Sequence, residues 1–194
     1  MPASMPLKAA LEVLLAARKD QVVVTTMGTA REWPHMSSHP LDFHFVPSSM
    51  GQAPALGLGL ALAQPQREVL VFNGDGCMLM SPGVLATIVA SGARNLTVLV
   101  FDNGIYEVTG GQKTVAAVGR VDYPAMAASM GFAAGSIAAF DDLAGWRSGV
   151  DRALAAPGPR FIALRIAPEP GDTHLEPPGP MAERLTRFRQ ALSA

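Results

Sequence analysis

Short apolar runs punctuate the chain at 21–26 (QVVVTT), 68–72 (EVLVF), 96–101 (LTVLVF), 135–140 (GSIAAF) and 160–166 (RFIALRI). They are continuous rather than alternating, so each reads as a strand covered on both faces. The segments between them carry helical patterns instead, at 51–64, 82–92, 123–131 and 141–156. Gly92 and Gly131 are placed to end helices, Pro82 fits a first turn and Asp141 fits an N-cap. A further helix precedes the first run, with apolar positions at Leu7, Leu11, Leu14 and Leu15; Lys8 and Glu12 interrupt it where a leader sequence would stay apolar. Strand and helix thus alternate, which predicts an α/β doubly wound parallel sheet flanked by helices, with residues 1–194 forming one domain. Two stretches resist this scheme, 27–50 and 103–122, and loops of that length inside a compact unit are usually functional or mobile. A Pro-rich connection at 167–180 leads to a last helix at 181–192, packed on the domain or on a partner.

Composition adds the expectation of a companion chain. Of 194 residues, 49% are hydrophobic and 16% charged, which is rich in apolar residues for a soluble protein and points to surface covered by a partner subunit. A net charge of -1, with no basic cluster beyond AERLTRFR near the end, speaks against nucleic acid as a ligand. Cys77 is the only cysteine, which excludes an internal disulfide and a cysteine-based zinc site and fits a reducing compartment. No apolar run approaches the ~20 residues of a membrane span, so a cytoplasmic protein is expected.

Chemistry concentrates where two of the runs end. In a parallel α/β sheet, ligands sit outside the carboxyl ends of the strands, and VFNGDGCMLM (71–80) sets Asp75 at such an end, between Gly74 and Gly76. The next run ends in FDNG, which puts Asp102 and Asn103 at an equivalent edge. The step from Asp75 to Asn103 is close to the ~30 residues of one βαβ unit, so both side chains can converge on one ligand. One carboxylate with one amide oxygen suits Mg²⁺, which completes its shell with water and phosphate oxygens. The two glycines would let main-chain N–H groups approach a phosphate without a Cβ in the way. Taken alone, Gly-Asp-Gly is a tight turn and so is Asn103-Gly104; the pairing at this spacing favours the metal reading. The dinucleotide fingerprint and the P-loop both lack a required residue here.

GDG, then residues 77–102, then Asn and a loop resembles the pattern by which thiamine diphosphate enzymes hold their cofactor through a divalent ion. Residues 48–76 and 85–112, including the DNGxxxxTGGQ form, are similar to the diphosphate-binding domain of sulfopyruvate and phosphonopyruvate decarboxylases. The likeness covers roughly residues 20 to 166. It implies that Asp75 and Asn103 ligate Mg²⁺ through side chains and Ile105 through its carbonyl, and that Gly76 and Cys77 lie against the diphosphate. It further implies that Thr29 and Ala30 bind the diphosphate from the preceding strand end, that Ser49, Met50 and Gly51 lie beside the aminopyrimidine, and that Tyr106 begins a loop closing over the cofactor. The implied reaction is decarboxylation of a small 2-oxo acid, sulfopyruvate or phosphonopyruvate being favoured. In this family the activating glutamate belongs to a pyrimidine-binding domain. The resemblance therefore implies a separate pyrimidine-binding, alpha-type subunit, a hetero-oligomer (or a homodimer when isolated), and a chain inactive alone. The alternative is a non-catalytic cofactor-binding, scaffold or regulatory subunit.

Other residues invite roles with competing bland readings. His35, His39 and His44 stand in the 27–50 stretch, where a histidine near a cofactor handles protons or is simply structural. Glu107 departs from the smaller residue of the compared decarboxylases and either lines the substrate entrance or faces solvent. TGGQ (109–112) is a glycine turn or part of a mobile lid. Arg31, Lys113 and Arg120 are candidates to clamp a phosphonate or sulfonate group. The small-residue face of 51–64 permits close packing on the sheet or on another subunit.

Overall fold

The computed structural model describes residues 5–47, 50–119, 121–169 and 175–194. In chain order its elements are α1 (Leu7–Ala17), β1 (Val22–Thr25), α2 (Met27–Glu32), β2 (Asp42–His44), α3 (Ala53–Ala63), β3 (Val69–Gly74), α4 (Asp75–Met80) and α5 (Val84–Ser91). They continue with β4 (Leu96–Asp102), β5 (Ile105–Tyr106), β6 (Gln112–Lys113), α6 (Val115–Gly119), α7 (Tyr123–Ser129), β7 (Ile137–Phe140), α8 (Leu143–Ala155), β8 (Arg160–Arg165) and α9 (Met181–Ser193). All neighbours in the main sheet are parallel, in the order β2-β1-β3-β4-β8-β7. The chain leaves β1 toward β2 on one side and returns to β3 on the other, so the strand order reverses between β1 and β3. That is where an open α/β sheet leaves a crevice at its carboxyl edge.

The sheet separates two apolar layers, as continuous runs require. Val69 and Val71 face one layer with Leu58, Leu85 and Ile88, while Leu70 and Phe72 face the other with Leu11, Leu14 and Trp33. Gly57 brings α3 onto β3: a Cβ there would stand 2.2 Å from Val71 Cγ2, so only glycine allows this approach. The Gly59 position has nothing within 4 Å, so the two glycines of that helix do different things. Trp146 closes the far layer by donating its indole N–H to the Ala10 carbonyl at 3.0 Å.

Several local expectations change. The 27–50 stretch holds a helix and an edge strand, β2, whose Asp42 is buried against Arg18 at 2.6 Å. The N-cap of α8 is Asp142, which accepts from Gly145 N at 2.8 Å, rather than Asp141. Pro82 precedes α5, which begins at Val84 after the Gly83 cap. The 103–122 stretch is a short antiparallel hairpin, β5 with β6, followed by α6. At the β2 edge of the main sheet, Arg184 of α9 is buried and donates to the carbonyls of His44 and Val46, while Phe188 packs on Phe43 with ring centroids 5.0 Å apart. No helix among the described residues is long and apolar enough to cross a membrane.

Candidate functional site

Three strand ends meet around one cleft. At the end of β1, Thr26 caps α2: its N–H donates to Thr29 Oγ1 at 3.1 Å, and its own hydroxyl donates to the Phe72 carbonyl at 2.9 Å, which stitches this end to β3. Met27 follows at φ +49, a left-handed conformation that a non-glycine residue holds at a cost of about 1 kcal/mol. Next to it, the short α2 carries Gly28 and Thr29 into the cleft lining.

At the end of β3, α4 starts on Asp75 itself, which places the carboxylate in a first helical turn where main-chain N–H groups favour negative charge. Asp75 is 2 % exposed. Burial pushes its pKa up, to about 6; the Thr114 hydroxyl, donating to Oδ2 at 2.8 Å, opposes the rise and the Asp102 charge adds to it. Gly76 is demanded by contact, since a Cβ there would lie 2.4 Å from the Tyr106 ring, whereas a Cβ on Gly74 would meet nothing within 4 Å. Burial also raises the Cys77 thiol pKa, so it packs as a neutral group rather than a thiolate.

At the end of β4, Asn103 Oδ1 accepts from Ile105 N at 3.0 Å and bends the chain through Gly104, at φ +72, into β5. An amide oxygen has a second lone pair left for another partner. The Asn103 amide nitrogen donates to Glu107 Oε2 at 3.3 Å, and Glu107 Oε1 accepts from Arg31 at 3.1 Å. Glu107 therefore lines the cleft and does not face solvent.

Of the residues singled out in the sequence, Thr29, Met50, Gly74, Asp75, Gly76, Cys77, Asn103, Ile105 and Tyr106 line this cleft together. Gly51, at φ +83, sits against the Cys77 carbonyl, where an added Cβ would be at 3.0 Å. Ala30 is buried at 1 % and is not among the lining residues. Ser49 and Arg120 lie outside the described residues. The histidines are not in the lining either: His44 Nδ1 bonds Thr25 Oγ1 at 2.9 Å and His39 Nδ1 lies 3.2 Å from Arg18, both near the edge strand. Burial lowers the pKa of both. Lys113 is exposed on β6. Leu7, Met27, Gly28, Phe101, Val108 and Ile166 join the lining without a prior signal, since an apolar wall looks like core in a sequence.

The donor set fits a small hard cation bound with phosphate. A carboxylate, an amide oxygen and a main-chain carbonyl stand at adjacent strand ends; among the described residues no group of three or more His, Cys, Asp or Glu could by itself hold a metal ion. The open space at Gly74 leaves room for a phosphate at the main chain.

Residues 9–164 match the family described as thiamine pyrophosphate enzyme, C-terminal TPP binding domain. The chain is 41% identical over 184 residues to a phosphonopyruvate decarboxylase of Streptomyces viridochromogenes, covering 93% of this chain and 45% of that protein. It is 38% identical over 164 residues to a sulfopyruvate decarboxylase subunit beta of Methanothermobacter thermautotrophicus, covering 84% of this chain and 83% of the subunit. Benzoylformate decarboxylase from Polynucleobacter necessarius shares the fold, with a TM-score of 0.67 at 20% identity over 88% of this chain and 34% of that one. The chain thus spans less than half the length of the phosphonopyruvate decarboxylase it matches.

Proposed function

Because the chain belongs to the thiamine pyrophosphate enzymes, as their C-terminal TPP-binding domain, we propose that it is the diphosphate-binding part of a Mg²⁺-dependent decarboxylase acting on a small 2-oxo acid, with sulfopyruvate or phosphonopyruvate as substrate. The observation that carries this reading is Asp75, a carboxylate buried at the end of β3 one crossover from Asn103, both lining one cleft. The names of two relatives, 41% and 38% identical to the chain, support the substrate class.

In this reading Asp75, Asn103 and the Ile105 carbonyl hold Mg²⁺. Gly74, Gly76 and Cys77 on one side, and Thr29 and Ala30 on the other, cradle the diphosphate, Ala30 by fixing α2 from behind. Met50 and Gly51 flank the aminopyrimidine, and the Tyr106 ring covers the Gly76 main chain. When bound, the cofactor supplies an electron sink for loss of CO₂ from a 2-oxo acid. The protein's part is to keep Asp75 ionised by pairing it with the cation, to hold Thr114 on its second oxygen, and to exclude water with the apolar wall of Leu7, Phe101 and Ile166. A separate pyrimidine-binding subunit provides the activating glutamate, so that the chain alone is inactive. The match to a subunit named beta over 83% of its length supports that division.

Calorimetric titration of the purified chain tests the reading. Thiamine diphosphate should bind only with Mg²⁺ present, and Asp75→Ala should abolish binding. CO₂ release from sulfopyruvate or phosphonopyruvate should require an added pyrimidine-binding subunit; full turnover by the chain alone would refute the divided site. Binding without turnover even with that subunit would favour a scaffold or regulatory role.

A further inference from the structure

Glu107 brings an anion into the same cleft. Its Oε1 accepts from Arg31 Nη2 at 3.1 Å and its Oε2 from Asn103 Nδ2 at 3.3 Å. The carboxylate also lies over Gly28 so closely that a Cβ there would stand 2.7 Å from Oε2. The side chain is delivered by the turn Glu107–Thr109 that follows β5, and it is 9 % exposed. Arg31 and Gly28 belong to α2, after β1, while Asn103 follows β4. One carboxylate thus ties the loop of one strand end to the loop of another across the mouth of the cleft.

Such an arrangement conflicts with an incoming diphosphate. Glu107 shares the cleft lining with Asp75, and Asp102 ends the adjacent strand, so a second highly charged anion beside it is repelled; Arg31 offsets that charge only in part, since it also pairs with Glu32 at 2.9 Å and lies 3.8 Å from Glu169. Asn103 is also turned so that its amide nitrogen is spent on Glu107. The hairpin that carries Glu107 closes through Gly110 at φ +120 and Gly111 at φ +78, positions free to change conformation.

We infer that Glu107 is an internal occupant of the cleft's anion position, a latch tied to Arg31 and the Asn103 amide that must swing aside when the diphosphate seats. The inference rests on the cofactor reading of this same site. Its consequence is that ligand affinity is lowered by the fraction of molecules in which the latch is closed.

Calorimetry of the full chain with Mg²⁺ and inorganic diphosphate, repeated with Mg²⁺ and thiamine diphosphate, tests this on wild type and Glu107→Gln. The glutamine keeps the side-chain volume and a neutral bond to Asn103, and Glu107→Ala replaces it if the first variant fails to fold. The variant should bind both probes roughly tenfold more tightly, the gain expected when a nine-tenths closed latch is removed, and should melt at a lower temperature without ligand because Arg31 loses a partner. Affinity equal to or weaker than wild type, or no binding in either protein, overturns the latch. Asp75→Ala separates the two ideas: if it retains Mg²⁺-dependent binding, the metal reading fails while the Glu107 comparison still judges the latch.

Discussion

Thr114 donates its hydroxyl to Asp75 Oδ2 at 2.8 Å, joining two buried residues that stand 39 positions apart in the chain. Thr114 follows β6, so the hairpin after β4 is anchored to the carboxylate at the end of β3. Replacing it with valine keeps the shape and leaves Asp75 with one less donor. Thr114→Val should lower stability by about 1–3 kcal/mol, the cost of an unsatisfied buried acceptor, and should weaken Mg²⁺-dependent cofactor binding. Thr114→Ser should restore most of both. Urea unfolding and calorimetry check the pair.

Gly74 and Gly76 flank the same carboxylate and should respond differently to alanine. At Gly76 the new methyl meets the Tyr106 ring at 2.4 Å, so the ligand-free protein should lose about 1–3 kcal/mol by overpacking. At Gly74 nothing lies within 4 Å, so Gly74→Ala should melt like wild type yet bind Mg²⁺ and thiamine diphosphate several-fold more weakly. Equal melting temperatures for the two variants would contradict this.

Helix α3 offers a matched control away from the cleft. Gly57→Ala drives a methyl to 2.2 Å from Val71 and should cost about 1–3 kcal/mol. Gly59→Ala, on an exposed face with open space, should stabilise by about 0.5–1 kcal/mol through helix propensity. Thermal melts of both variants read the difference in sign.

His44 makes stability depend on pH. Its folded pKa is lowered from 6.5, first by burial, so the native state binds fewer protons than the unfolded chain below that value. The contribution is therefore full above pH 6.5 and is lost as the pH falls through the lower folded value. Comparing wild type with His44→Gln by urea unfolding between pH 7.5 and 5 should show the wild type losing more stability on acidification; parallel curves would contradict it.

The sheet and its helices were legible because five of the six main-sheet strands among the described residues are continuous apolar runs. The sixth, Asp42–His44, is three residues with a charge at its start, and what allows it inside is Arg18, 24 positions earlier and invisible to any local pattern. The two-residue strands β5 and β6 are too short to show a period at all. In the cleft, Asp75 and Asn103 were legible because a βαβ unit has a nearly constant length. The contact of Arg31 with Glu107 spans 76 positions and follows from the strand order, which composition does not encode. Histidines near Asp42 read as candidates for proton transfer only because a sequence does not say which end of the sheet, or which edge, a loop reaches.

Arg184 fills a need that belongs to the sheet rather than to the cleft. Among the described residues β2 pairs with β1 on one side only, and an unpaired strand edge is a template on which a second chain can add a strand. Arg184 donates to the carbonyl of His44, the last residue of β2, and to that of Val46 just beyond it, while Phe188 packs on Phe43. Helix α9 thus packs along the side of β2 that β1 leaves open.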